Sequence, residues 1–306
     1  RGELGLSKGK LPAFDREISL PPQAVKFLKV MKSHKKPATV RCYRTRLGHF
    51  YQYLHRRQLS LEAFTRLEFE EYIASMHRDA YSPQTSRHAI GSVQIYLSWL
   101  YECELLANDP EPVIRNFQRP KRPDYLPRTL LPEVDDLVQD RLEKNGDVVA
   151  LALLLMRRTG IRIGDLRALP YDCLRVDPNK NPYLKIPLGK LNNERLVPLD
   201  TVTLAILNQV KENSVQNNGG IEPENLVVRS DGKPATLTNY HLVLYEIGEE
   251  LRLDTDLSLG EESLVSHRLR HTFATTLLSA GVSVEAIMVL LGHRSITMSL
   301  RYAQVT

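Results

Sequence analysis

Three cysteines, Cys42, Cys103 and Cys173, are spread over 306 residues with no CxxC pair and no cysteine–histidine cluster. So sparse and odd a count speaks against a disulfide scaffold and against zinc spacings, and fits a reducing cytoplasm. Long apolar runs are missing too. The longest, Val148–Met156, holds nine residues, about half of what a bilayer crossing takes. No charged-then-apolar leader opens the sequence. Low-complexity tracts are absent, and the apolar (42%) and charged (25%) fractions exclude wholesale disorder and collagen-like repeats. No carboxylate cluster suited to a pair of magnesium ions stands out, so no metal or other cofactor is expected. The chain opens on Arg1 rather than Met, and the expectation is a trimmed piece of a longer protein.

The positive charge that is present is unevenly placed. Residues 1–124 carry 21 Lys and Arg against 13 Asp and Glu, and the remainder carries 20 against 23. A basic N-terminal part is the electrostatic footprint of a nucleic-acid binder, although a solvated basic surface produces the same count.

The length suits two domains. Residues 1–20 have no period and read as an extended arm. Residues 21–115 read as a helical bundle. A first helix over Gln23–Lys36 has Val25, Leu28, Val30 and Met31 as its apolar residues, and Pro37 ends it. A second starts near Thr39 as N-cap, with Val40, Tyr43, Leu47, Phe50, Tyr51 and Leu54 inward and Arg41, Arg44 and Arg46 between them. Helices follow over about Leu67–His77 and Pro83–Glu104, the latter including Arg87 and the apolar Ile95. Pro110 and Pro112 end the block. Over residues 116–127, Pro120, Pro123 and Pro127 interleave with Arg119, Lys121 and Arg122, which makes a semi-stiff basic linker.

Residues 128–306 read as a second domain, mainly α with a small antiparallel sheet (α+β). Pro132–Leu142 and Asp147–Arg158 are helical, and Gly160 closes the second helix. Strand-like alternation over 183–188 and 195–199 flanks a turn at 189–194. Helices follow near 201–213, 237–251, 266–280 and 283–291.

The polar residues of this second part suit phosphodiester chemistry. His267, Arg270 and His271 share one helical face at i, i+3, i+4. His293 stands just past Gly292 at a helix end, and Tyr302 follows nine residues later. Arg162 occupies a turn between helices, with Asp165 placed to orient it. Lys190 lies at the tip of the predicted hairpin. Each has a plain structural explanation when taken alone. Together they offer two guanidinia for non-bridging oxygens, a phenol as nucleophile, and Lys or His to move protons.

Four strings carry a resemblance: TGIRIGDL around Arg162, GKLNNERLVPL around Lys190, HRLRHTFAT with His267 and Arg270, and LLGHRSITMSLRYA with His293 and Tyr302. In this order and spacing the chain resembles the tyrosine recombinase (phage integrase) family. The 21–115 bundle, with its Asn108-Asp-Pro110 end, resembles that family's core-binding domain, and 128–306 its catalytic domain.

The resemblance implies that Tyr302 attacks a DNA phosphate, giving a 3′-phosphotyrosine and a free 5′-hydroxyl. It implies that Arg162 and Arg270 hold the phosphate and that Lys190 is the general acid. His267 would assist proton transfer, and His293 would bond the phosphate. The implied partners are double-stranded DNA with specific recombination sites, clamped between the domains, and a homo-tetramer on two duplexes bridged by a Holliday junction. Accessory DNA-bending proteins are further candidate partners. Arg41, Arg44, Arg46, Arg87, Lys121 and Arg122 are candidate DNA contacts. The implied setting is integration, excision or transposition of a mobile element, in the cytoplasm and away from membranes. A type IB-like topoisomerase, or a catalytically silent DNA-binding regulator, are the alternatives. Only four residues follow Tyr302, where family members commonly carry a segment that docks on a neighbouring protomer. The resemblance therefore bears less on assembly than on chemistry.

Overall fold

The computed structural model describes residues 19–114, 126–187, 194–254, 263–293 and 295–304. Lys190, Lys121 and Arg122 lie outside these residues, as do the arm to residue 18 and most of the predicted linker. Residues 1–124 and 125–306 form two separate compact units.

The first unit is helical: α1 (Pro22–His34), α2 (Pro37–Arg56), α3 (Arg66–Arg78), α4 (Pro83–Glu102) and the single turn α5 (Glu111–Ile114). Three of these open on proline, whose fixed φ suits a first helical position and whose missing N–H costs nothing there. Pro37 therefore starts α2 with Lys36 as N-cap, and Thr39 lies inside the helix rather than capping it. Thr65 and Ser82 do cap, accepting from the Glu68 and Thr85 amides.

The buried face of α1 is Ala24, Phe27, Leu28 and Met31. Val25 and Val30, expected inside, are 49% and 39% exposed, and Ile95 on α4 is 48% exposed. The aromatic residue sets the rotation: the Phe27 ring meets the rings of Tyr43, Tyr96 and Trp99 with centroids 5.2–5.6 Å apart, an area that two valines do not match. Pro112, expected to end the block, sits instead in the first turn of α5, where the Asp109 carboxylate accepts from the Glu111 amide.

The second unit is built around α7 (Val148–Thr159), which follows α6 (Pro132–Asn145). Val148 through Met156 are all buried. A helix apolar all round belongs in the middle of a core, and α7 packs on α6, on α9 (Thr201–Asn217), on α10 (Leu237–Asp254) and on α11 (Ser266–Ser279). Asp147 caps α7 at its start, and Gly160 closes it in the left-handed conformation.

A short helix α8 (Ile163–Arg167) leads into the antiparallel sheet β1 (Leu174–Val176), β2 (Pro182–Ile186) and β3 (Arg195–Pro198), in the order β1-β2-β3. Leu184 and Val197 stand opposite each other and, with Ile186, turn inward. β1 is too short for its alternation to show in the sequence. The chain ends with α12 (Val284–Leu291), α13 (Ile296–Leu300) and a 3-10 turn, Tyr302–Gln304. Among the described residues no helix is long and apolar enough to cross a membrane.

Candidate active site

Two helix ends build the site. α7 and α12 both stop on a glycine with φ of 61°, Gly160 and Gly292. Helix C-termini leave carbonyl oxygens without amide partners and carry partial negative charge. Arg270, on α11, reaches between the two ends. Its Nη1 donates to the Gly160 carbonyl and its Nη2 to the Leu291 carbonyl, both at 2.5 Å. Arg162, the N-cap residue of α8, donates from Nη2 to the Gly292 carbonyl at 3.2 Å. Glycine at 160 serves twice. It takes the positive φ, and it lets α11 and α12 close in, since a β-carbon there would collide with the Phe273 ring and come within 2.9 Å of Leu291 Cδ2.

The carbonyls orient these guanidinia without neutralising them. Arg270 is 3% exposed. Burial, then repulsion from Arg162 and Arg195, pushes its pKa down to about 9. Asp165 is the carboxylate at hand: its Oδ2 lies 3.3 Å from Arg195 Nη2 and 3.7 Å from Arg162 Nη1. Three largely buried guanidinia thus gather around one carboxylate. Excess positive charge out of water is costly, and an anion arriving in the site relieves that cost.

Tyr302 is 3% exposed, packed with Ala274, Ile287 and Leu291. Its hydroxyl lies 3.1 Å from His271 Nδ1. The His293 ring runs nearly parallel to the phenol, planes 14° and centroids 6.1 Å apart. His293 Nδ1 is 2.8 Å from the Ser299 hydroxyl. Burial raises the Tyr302 pKa, against the opposing pull of Arg270 and Arg162. Burial, aided by His267 and Arg270, lowers His271 to about 4. Burial, aided by Arg270, Arg162 and Arg195, brings His293 to about 4 as well. Both rings are neutral at pH 7. A neutral His271 accepts from the phenol at Nδ1 only as the Nε2–H tautomer.

Of the residues singled out in the sequence, Arg162, Arg270, His293 and Tyr302 converge here. His267 is exposed and its ring stacks on that of His271, centroids 6.0 Å apart. The imidazole at the phenol is His271, one helical turn later. Arg195 was not anticipated either. Its signal was strand alternation, which puts it on the face of buried Val197. In the first unit, Arg41 and Arg44 are exposed on α2. Arg46 is half-buried and donates to the Ser92 hydroxyl on α4 at 3.2 Å, and Arg87 is half-buried.

Residues 132–306 match the phage integrase family, and residues 24–103 match the phage integrase, N-terminal SAM-like domain. The tyrosine recombinase XerC of Roseiflexus castenholzii is 29% identical over 277 residues, spanning 87% of this chain and 83% of that protein. Transposase B from transposon Tn554 of Staphylococcus aureus (strain Mu50) is 26% identical over 263 residues. That match spans 85% of this chain but 41% of the transposase. In fold, the chain is similar to the XerH site-specific recombinase bound to its difH substrate before cleavage. The TM-score is 0.71 at 18% identity, covering 92% of this chain and 81% of that one.

Proposed function

Since this chain belongs to the phage integrase family of tyrosine recombinases, we propose that it cuts and rejoins DNA at specific sites through a 3′-phosphotyrosine intermediate. The observation that carries this reading is the excess of buried positive charge beside a buried phenol: among the described residues, Arg162, Arg195 and Arg270 against Asp165. A phosphodiester supplies the missing anion. Arg162 and Arg270 grip its non-bridging oxygens and stabilise the charge that builds as phosphorus becomes five-coordinate.

The Tyr302 oxygen attacks phosphorus, the bond to the 5′ oxygen breaks, and that oxygen takes a proton from Lys190. The phenolic proton leaves toward imidazole. Burial holds the phenol above its ordinary value and brings the imidazole down to about 4, so handing over the proton before attack is steeply uphill. Proton transfer therefore accompanies formation of the O–P bond rather than preceding it. His271 takes this proton, His267 relays it outward, and His293 bonds the phosphate. Attack by a 5′-hydroxyl reverses the step. When that hydroxyl belongs to a second duplex, strands are exchanged. The covalent link conserves the phosphodiester energy, so no nucleotide hydrolysis is needed.

Four protomers on two duplexes and a Holliday junction are the working assembly. Unit 1–124 contributes backbone contacts through Arg41, Arg44, Arg46 and Arg87, and through Lys121 and Arg122 near its end. A relative named as a transposase supports a role in moving a DNA element.

The test uses nicked duplexes drawn from the DNA that flanks the gene. A covalent protein–DNA band on a denaturing gel, lost in Tyr302→Phe, is expected. Bound DNA without that band overturns the reading, and site-independent relaxation of supercoiled plasmid would point to a topoisomerase.

A further inference from the structure

Arg195 opens β3, opposite Ile186 in the end pair of the β2–β3 ladder. Its side chain is 8% exposed. It is held on two sides. Its Nη2 donates to Asp165 Oδ2 at 3.3 Å. Its head also lies against Gly292, where a β-carbon would come within 2.5 Å of Nη1, 3.3 Å of Cδ and 3.4 Å of Cζ. Among the described residues its buried Nε finds no partner. A guanidinium present only to hold the fold would be expected to have its donors filled, and an apolar side chain of similar size would do that task at less cost.

The distances around Asp165 show what Arg195 changes. The carboxylate oxygen that hydrogen-bonds Arg195 lies 3.7 Å from Arg162 Nη1, too far for a hydrogen bond. Arg162 is instead aimed by the Gly292 carbonyl. Without Arg195, the nearest cation for Asp165 among the described residues is Arg162, at 3.7 Å, and the two are spaced to form a fork-type ion pair. Such a pair would occupy the donors that a phosphate needs.

We infer that Arg195 is a positioning residue for the phosphate site: by engaging Asp165 and seating against Gly292, it keeps Arg162 oriented and uncommitted until a phosphodiester arrives. This deepens the recombinase reading and rests on it. Arg195 need not touch the DNA.

The experiment compares two nicked duplexes drawn from the gene-flanking DNA. One has the ordinary scissile phosphate, and the other a methylphosphonate there, which carries no negative charge to hold. Adduct rate at saturating DNA, DNA affinity and melting temperature are measured for wild type, Arg162→Ala, Arg195→Gln, Arg195→Lys and Arg195→Gln/Asp165→Asn.

On ordinary DNA, Arg195→Gln is expected to lose on the order of 100-fold in rate, as for a misplaced reacting group, with affinity little changed. On methylphosphonate it should recover most of the loss, as Arg162→Ala should. Adding Asp165→Asn should restore part of the rate on ordinary DNA, because the competing carboxylate is gone. Arg195→Lys, which keeps the charge, should show a smaller loss with the same rescue, and it decides the matter if Arg195→Gln melts below the assay temperature. Equal loss on both substrates, or no loss, overturns the assignment of Arg195 alone. Absence of adduct from wild type on ordinary DNA overturns the recombinase reading beneath it.

Discussion

The Tyr302 hydroxyl and His271 Nδ1 lie 3.1 Å apart, inside a site where burial, aided by His267 and Arg270, pushes the imidazole toward its neutral form. A neutral acceptor beside a buried phenol holds the proposed nucleophile protonated and aimed. It becomes a base only as the oxygen loses its proton to bond formation.

A ranking of the two imidazoles on α11 follows. His271→Ala is expected to slow adduct formation by about 10²-fold, the usual worth of a positioned proton acceptor. His267→Ala should cost less, because it is His271 whose Nδ1 lies 3.1 Å from the phenol, while His267 is exposed. Single-turnover rates on the nicked duplex decide it. The opposite ranking would mean that His267 takes the phenolic proton directly once DNA is bound.

Stability should depend on pH in a defined window. His271 and His293 have folded values near 4 against 6.5 in the unfolded chain. Between those values the unfolded chain takes up protons and the folded one does not, so protonation favours unfolding. Melting temperature should fall as pH drops from about 6.5 toward about 4, and the slope should flatten below that. His271→Asn, which keeps a polar group near Nδ1 without a titrating ring, should make the slope shallower. An unchanged slope would argue against a buried neutral His271.

Gly160 offers a packing test. Gly160→Ala combines a left-handed backbone with a collision against Phe273, and an expected cost of about 2–4 kcal/mol. At Gly146, φ is 66° and no atom lies within 4 Å of an added β-carbon. Gly146→Ala should therefore cost about 1 kcal/mol, from backbone strain alone. Denaturant melts of both variants measure the difference. Equal costs would show that α11 and α12 can yield around the Gly160 turn.

If Arg41 and Arg44, exposed on α2, contact phosphates as proposed, their loss affects DNA affinity rather than chemistry. Arg41→Ala and Arg44→Ala should each lower the slope of log affinity against log salt by about 0.9, one phosphate contact apiece. Cleavage of DNA already bound should be unchanged. Filter binding across a salt series, with single-turnover cleavage in parallel, separates the two. A slower bound-state rate would place these residues nearer the chemistry than proposed.

Much of the architecture was readable in advance because it is local. Val148–Met156 could only be a central helix, and the Phe50 and Leu47 face of α2 follows from steps of three and four. The reading slipped where two rotations of one helix were nearly equal in apolar content. Val25 and Val30 were counted inward until the ring of Phe27 turned α1 the other way. β1 was passed over because three residues cannot display a period.

What the sequence alone determined, then, is the set of segments and the chemical types near each segment's end: arginine beside Gly160, histidine after Gly292, a phenol nine residues on. These follow from backbone periodicity and from the glycine signals that close helices. Which of His267 and His271 meets Tyr302, and that Arg195 rather than Arg162 hydrogen-bonds Asp165, were decided only in three dimensions. Helical spacing fixes a face to within a turn, but a hydrogen bond demands placement to a few tenths of an ångström. Here that placement comes from α7, α11 and α12 converging on two helix ends far apart in the chain.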